Sequence, residues 1–340
     1  MSDAHLIEIP ENPLPEGMSA HFIEAADGAR LRIATLPKLD HAKGSFLVVP
    51  GWAEFIEKYA EVATELRDKQ YNVMICDPRG QGYSHRVALN DDRALIDDFR
   101  KFVRDMDEVF ADFVSNFPAP HYLLAHSMGG TITLEWLATG DRPVDGVVLS
   151  APFTRLYPSG VKRFIVRTMA RTALFFRQAR RPISVAPEQS MYFPTNKLTQ
   201  DPIRHDRFKK LQLKEPDSMA GHPRYAWVNA AMAAHLRIDA PGALSGIKAP
   251  VLLVSADWDE TVDPTHHHEL AERYPFIKLV TVPGARHELL MEKDEYREQF
   301  WAAFDDFMAA RQAEADSVNM PPEPSSAVPE STRSSNMSAS

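Results

Sequence analysis

The chain has a single cysteine, Cys76, in 340 residues. One thiol cannot close an internal disulfide, so neither a stapled mini-fold nor an oxidising compartment is implied. Cys76 ends the apolar run Val73-Met74-Ile75-Cys76, which reads as a buried strand, where free cysteine packs as a small hydrophobe. No run of about 18 apolar residues occurs, so a spanning helix is not expected. Met1 to Pro15 carry acids and prolines but no apolar signal core, so a secretory leader is not expected. The simplest expectation is a cytoplasmic protein, with peripheral contact at the inner face of the membrane left open. Basic charge is also in deficit. Lys and Arg number 38 against 47 Asp and Glu, a net charge of -9, which speaks against a nucleic-acid partner. No internal repeat is visible.

What is present supports a globular chain: 44% of residues are hydrophobic and 25% charged, enough to build a sizeable core. Two alternating runs between His21 and Leu36 flank Asp27-Gly28, a hairpin signal. Short apolar runs then alternate with longer helical patterns. Strands are expected at Ser45–Val49, Asn72–Cys76, Tyr122–Ala125 and Gly146–Ser150. Helices are expected at Phe55–Lys69, Leu95–Phe117 and Met128–Thr139. The rhythm stops between Ala151 and Leu244 and resumes with a strand from Val251, a helix over His266–Tyr274, a strand over Ile277–Val282 and a helix over Tyr296–Met308. Continuous apolar strands separated by helices indicate an α/β fold with a mostly parallel sheet covered on both faces. The expected division is a core in two parts, residues 1–150 and 245–313, a helical insertion at 151–244, and a disordered, Ser- and Pro-rich tail at 314–340.

The densest chemical signal is Tyr122-Leu123-Leu124-Ala125-His126-Ser127-Met128-Gly129-Gly130. An apolar strand runs into a serine flanked by small residues and then into a helix, the arrangement that lifts a serine hydroxyl above a sheet edge on a sharp, strained turn. The N–H of Met128 opens the helix, where free donors and the helix dipole favour an oxyanion. The competing reading of Ser127 is a simple helix cap. An exposed serine needs a base. His287, in Val282-Pro283-Gly284-Ala285-Arg286-His287-Glu288, follows a strand and precedes a helix and can reach over the strand ends; a solvated loop histidine is the alternative. His266, His267 and His268 read as a helix start rather than metal ligands, and His126 as a packing residue. Three aspartates compete for the acid that orients the base: Asp257, Asp259 and Asp263. The last precedes Pro264 and resembles a cap.

Through these stretches, together with Gly51-Trp52-Ala53-Glu54-Phe55-Ile56-Glu57-Lys58-Tyr59 and Asp77-Pro78-Arg79-Gly80-Gln81-Gly82-Tyr83-Ser84, the chain resembles the α/β-hydrolase branch containing bacterial lysophospholipases and monoacylglycerol lipases. The likeness spans about His21 to Arg311. Asn196-Lys197-Leu198-Thr199 with Asp201 and Arg204 resembles the lysophospholipase side of it. The resemblance implies a serine carboxylester hydrolase with Ser127, Asp259 and His287 as catalytic triad; Asp259 is preferred because the family spaces its acid three residues after a small residue, here Ala256. It implies an oxyanion hole from the N–H groups of Trp52 and Met128, and no metal or cofactor. Pro50 stands where the family has histidine, and Ala125 where it has glycine. Arg79 is expected to pin neighbouring loops.

Ala151 to Pro187 holds eight arginines and lysines and no acid, interleaved with Phe164, Ile165, Val166, Met169, Leu174, Phe175 and Phe176. Such a segment suits a cap over the site, and equally a helix lying on an anionic membrane. The expected partner is a small lipid ester, a lysophospholipid or monoacylglycerol. An aminopeptidase or amidase of the same fold and a non-catalytic hydrolase-like receptor are the rivals.

Overall fold

The computed structural model describes residues 4–85, 96–157, 160–183 and 192–319. Strands β1 (Ser19–Glu24), β2 (Arg30–Thr35), β3 (Ser45–Val49), β4 (Asn72–Cys76), β5 (His121–His126), β6 (Gly146–Ser150), β7 (Val251–Ala256) and β8 (Ile277–Val282) form one sheet in the order β1-β2-β4-β3-β5-β6-β7-β8. The β1–β2 hairpin pairs antiparallel and β2 joins β4 antiparallel. The remaining strands are parallel.

Alternation along the strands explains the layering. In β5, Leu123 and Ala125 face one core, whereas Tyr122 and Leu124 face the other. In β7, Val251 and Leu253 oppose Leu252 and Val254 in the same way. One core is closed by α2 (Arg100–Asn116) and α3 (Met128–Ala138), through Phe102, Met106, Phe110, Phe113, Ile132 and Trp136. The opposite core is closed by α1 (Ala60–Asp68) and the last helix, through Val62, Leu66, Phe300, Phe304 and Phe307. Each large side chain so buried contributes roughly 1.5–3 kcal/mol. Because both faces are covered, β3, β4, β6 and β7 are buried at every residue, which is why they read as unbroken apolar runs.

Among the described residues between β6 and β7 no strand joins the sheet. The described residues there form α4 (Val161–Phe175), α5 (Pro202–Lys214) and α6 (Tyr225–Asp239). Then follow α7 (Pro264–Arg273) and α8 (Asp294–Asn319). No helix of the described residues is long and apolar enough to cross a membrane.

Several boundaries differ from expectation by one or two residues, and three differences have a local cause or a larger extent. The helix expected from Leu95 begins at Arg100, after Asp98 accepts the Arg100 N–H at 3.0 Å; Leu95 lies outside the described residues. The first turn of the Phe55–Lys69 pattern is a tighter 3-10 turn, Ile56–Tyr59. The final helix continues past Glu314 to Asn319, where the tail was expected to be disordered. Arg311 pairs with Glu314 at 2.6 Å and Gln312 donates to Asp316 at 3.0 Å, side-chain pairs that favour another helical turn. Residues 320–340 lie outside the described set.

Candidate active site

The strand order reverses at β3: the chain leaves β3 for β4 on one side and returns to β5 on the other. Crevices at the carboxyl ends of such neighbours are where open α/β sheets bind ligands. Ser127 stands there, directly after β5 and before α3, with φ +49° and ψ -116°. A non-glycine residue held at positive φ is strained, and the surroundings hold this one. Its N–H donates to Ser150 C=O at 3.0 Å, and its C=O accepts from Gly130 N–H and Phe153 N–H, each at 2.9 Å. Gly129 explains the need for small neighbours: a Cβ there would lie 2.2 Å from the carbonyl oxygen of Val49 at the end of β3. Ala125, in β5 two residues before Ser127 and where the resembling family has glycine, is wholly buried.

His287 reaches this serine. Its Nε2 lies 2.9 Å from Ser127 Oγ, and its Nδ1 lies 2.6 Å from Asp259 Oδ2. With Nδ1–H donating to the carboxylate, Nε2 is left to accept the serine proton. The other carboxylate oxygen of Asp259 accepts from Thr261 N–H at 2.7 Å and Val262 N–H at 2.9 Å. All three side chains are buried. Of the competing aspartates, Asp257 is exposed, and Asp263 caps α7 by accepting the Thr265 N–H. Burial pushes the Asp259 carboxyl up, but the His287 charge and the hydrogen bonds hold it below the ordinary carboxylate range. Burial pushes His287 down, yet Asp259, Glu288 and Glu54 together raise it above the ordinary imidazole value.

Trp52 lies in the loop after β3. The loop is fixed on both sides of it: Glu54 accepts the Gly51 N–H at 2.6 Å, and Gln81 accepts the Ala53 N–H at 2.7 Å while donating to Gly51 C=O at 2.8 Å. Among the described residues nothing accepts the N–H of Trp52 or of Met128. Two free donors, one beyond β3 and one opening α3, thus flank the end of neighbouring strands.

Sequence reasoning missed a buried charge network behind this arrangement. Lys58 Nζ sits 2.6 Å from Glu54 and 2.7 Å from Glu288, the residue after His287. Tyr59 donates to Glu54 at 2.6 Å. His126, expected to pack, does so against His287, ring centroids 5.0 Å apart, with Nδ1 at 3.0 Å from Ser150 C=O; burial lowers it to about 4. The network ties the Trp52 loop to the His287 loop. The Asn196–Arg204 stretch braces the latter from outside. Arg286 donates to Asn196 C=O at 2.7 Å, Glu288 N–H to Leu198 C=O at 2.7 Å, and Thr199 Oγ to Met291 C=O at 2.7 Å. The Asp77–Ser84 loop is structural, as expected. Arg79 pairs with Asp105 at 2.6 Å and with Asp27 at 2.8 Å, and a Cβ on Gly82 would fall 1.8 Å from Asp77.

The consecutive histidines separate. His267 bonds Pro152 C=O at 2.8 Å and Ser255 Oγ at 2.7 Å, and His266 bonds Thr154 Oγ at 3.0 Å. His266 also meets Asp239 and Glu269, with possible ligand atoms all within 4.8 Å of one another. Arg155 occupies that cluster, 2.6 Å from Glu269 and 3.6 Å from Asp239, so its charge is met by a guanidinium.

Residues 40–294 match the family model described as "Serine aminopeptidase, S33". The chain belongs to this family of α/β-hydrolases. It is 28% identical over 264 residues to a probable lysophospholipase L2 of Haemophilus influenzae, covering 77% of this chain and 82% of that one. Identity to lysophospholipase L2 of Escherichia coli K12 is 29% over 281 residues, covering 79% and 82%. A solved structure of a monoglyceride lipase from Saccharomyces cerevisiae with a substrate analogue superposes with a TM-score of 0.68 at 19% identity, covering 86% of this chain and 96% of that one. That likeness carries the fold.

Proposed function

We propose that this α/β-hydrolase cleaves carboxylic esters of lipid-like alcohols, with Ser127 as nucleophile, His287 as general base and acid, and Asp259 as the group that orients and stabilises the imidazolium. The observation that carries the reading is the buried relay from Ser127 Oγ through both ring nitrogens of His287 to Asp259, at 2.9 and 2.6 Å. Ser127 Oγ attacks the ester carbonyl as its proton passes to Nε2. The free N–H groups of Trp52 and Met128 receive the oxyanion, a contribution of about 3 kcal/mol for each donor that reaches it. Nε2 then returns the proton to the leaving alcohol, and water repeats both steps on the acyl-enzyme.

The substrate class rests on the relatives' lysophospholipase and monoglyceride lipase names and on the apolar wall beside the serine. Trp52 packs on Trp227 at 4.5 Å, and Trp227 stacks with Phe153 at 6.1 Å. The family's description names an aminopeptidase, which needs an unpaired carboxylate for a free amine. Here Glu54 and Glu288 beside His287 are both held by Lys58, which favours the ester. Residues 151–244 form a cap in this reading, with α4 its outer helix. Val161, Phe164, Ile165, Met169, Phe175 and Phe176 are exposed on and beside α4, next to Arg163, Arg167, Arg171 and Arg177, a combination suited to resting on an anionic bilayer.

A panel of monoacylglycerols, lysophospholipids, short p-nitrophenyl esters and aminoacyl amides, assayed with the native protein and Ser127→Ala, tests the reading. Ester turnover is expected in the native protein only. Turnover confined to aminoacyl amides, or fluorophosphonate labelling that persists in the mutant, would overturn it.

A further inference from the structure

A cavity of about 270 Å³ opens between α4 and α6, lined by Arg163, Phe164 and Arg167 of α4 and by Met232, His235 and Asp239 of α6. It does not include Ser127. Phe153 links the two: its N–H donates to Ser127 C=O and its ring meets His235 edge-on at 4.4 Å.

The polar groups of this cavity are unevenly satisfied. Asp239 is shared among Arg273 at 3.1 Å, His266 at 3.4 Å and Arg155 at 3.6 Å. Arg155, also in the lining, is closed by Glu269 at 2.6 Å, with Asp263 at 3.9 Å. Arg163 and Arg167, by contrast, have no carboxylate within ion-pair distance among the described residues, and Arg163 Nη1 is buried without a hydrogen-bond partner. His235 is only 6% exposed, and neither of its ring nitrogens makes a hydrogen bond. The Phe153 carbonyl beside it, already taken by Thr131 at 2.5 Å, falls short of one. Burying a polar ring without partners is costly, and an unpaired guanidinium beside it compounds the cost. Burial lowers His235 to about 3 and keeps the ring neutral, so one acceptor-rich anion can take the guanidinium N–H groups and the single imidazole N–H. Arg163 and Arg167 on α4 and His235 on α6 line the same cavity; donors on separate side chains suit a tetrahedral group better than a planar carboxylate, and guanidinium forks match phosphate oxygens.

We propose that this cavity is a phosphate-binding site, with Arg163, Arg167 and His235 as its donors. The cavity exceeds a bare phosphate, and Phe164, Met232 and Leu236 offer apolar wall to an attached carbon skeleton. Phe164 also borders a neighbouring groove of about 430 Å³ lined by Ile165, Met169 and Phe176, so a lipid headgroup is the source that fits best. The site does not depend on Ser127 acting as nucleophile.

The test follows the His235 imidazole resonances of the full chain, assigned by difference from His235→Gln, during titration with inorganic phosphate and, separately, glycerol 3-phosphate. Sodium chloride at matched ionic strength is the control. Saturable shifts are expected with both anions, weakened about tenfold or more by Arg163→Gln with Arg167→Gln, and retained in Ser127→Ala. Tighter binding of glycerol 3-phosphate identifies a headgroup; equal binding identifies free phosphate. The proposal falls if neither probe gives saturation, if chloride gives the same shifts, or if the arginine variant, its fold verified by circular dichroism, binds as tightly as the native protein.

Discussion

Two regions of this molecule handle their side chains in opposite ways. At the carboxyl edge of the sheet, polar groups are buried and matched: Asp259 accepts two backbone N–H groups and an imidazole, and Lys58 is enclosed by two glutamates. Along α4 the pattern inverts. Phe175 is 82% and Phe164 69% exposed, and Arg163 and Arg167 have no anionic partner among the described residues. The first region is built for fixed geometry, where a displacement of about 1 Å costs a hundredfold in rate. The second carries apolar area and charge that the fold itself does not consume. The contrast predicts that damage at the sheet edge changes chemistry, whereas damage on α4 changes where and on what the chemistry is delivered.

The largest effects are expected at the edge. Ser127→Ala should lower kcat/KM by about 10⁴–10⁶ with an unchanged circular dichroism spectrum. Asp259→Asn should lower kcat by roughly 10³–10⁴, since an amide no longer fixes the tautomer of His287, while Asp257→Asn should remain near native. Equal losses in the two aspartate variants would dissolve the distinction between them. A pH profile sharpens it. In the proposed mechanism His287 must be neutral to take the serine proton, and its pKa is raised by Asp259, Glu288 and Glu54 against burial. Activity is therefore lost as pH falls through a value above the ordinary imidazole range of about 6.5. In Asp259→Asn that acid limb should move to lower pH. A limb that stays in place would show that another group titrates.

Lys58 tests whether the edge is held together by its ionic core. Its amine is raised above the ordinary lysine value because Glu288 and Glu54 outweigh burial, so it stays charged across the working range. Lys58→Met leaves two buried carboxylates unpaired and should cost about 3–5 kcal/mol of stability, read as a lowered urea midpoint. Adding Glu54→Gln should recover part of that loss. A single variant as stable as the native protein would mean that the network is dispensable.

These same residues mark what the sequence could convey. The strands were legible because burial on both faces leaves a run such as Val251-Leu252-Leu253-Val254 with no polar side chain. Ser127 and His287 were legible because the strand-to-turn context is local to each. Choosing Asp259 over Asp257 needed the resemblance, since both stand at the end of one strand. The Lys58 network was not legible: its partners lie 4 and 230 positions away, and the motif Gly51–Tyr59 shows the residues without the fold that closes them. The role of Gln81, clamping both sides of Trp52, was hidden for the same reason. His235 gave no signal at all, because a lone histidine on an apolar helix looks like core, and only the cavity beside it shows that its nitrogens are unsatisfied.

The smallest effect is expected on α4, and it separates the two regions most cleanly. Replacing Phe164 and Phe175 with Asp removes apolar area that is already in solvent, so stability should change little. If α4 lies on a bilayer, each ring contributes up to roughly 1.5–3 kcal/mol of insertion, and each new carboxylate adds repulsion from anionic lipid. Sedimentation with phosphatidylglycerol-containing vesicles should fall at least tenfold. The remaining binding should depend on anionic lipid and weaken as ionic strength rises. Turnover of a short water-soluble ester should be unchanged, because neither ring touches the Ser127–His287 pair. Loss of soluble-ester turnover in this variant would instead make α4 part of the site, and native protein that ignores both vesicle charge and salt would remove the membrane from the account.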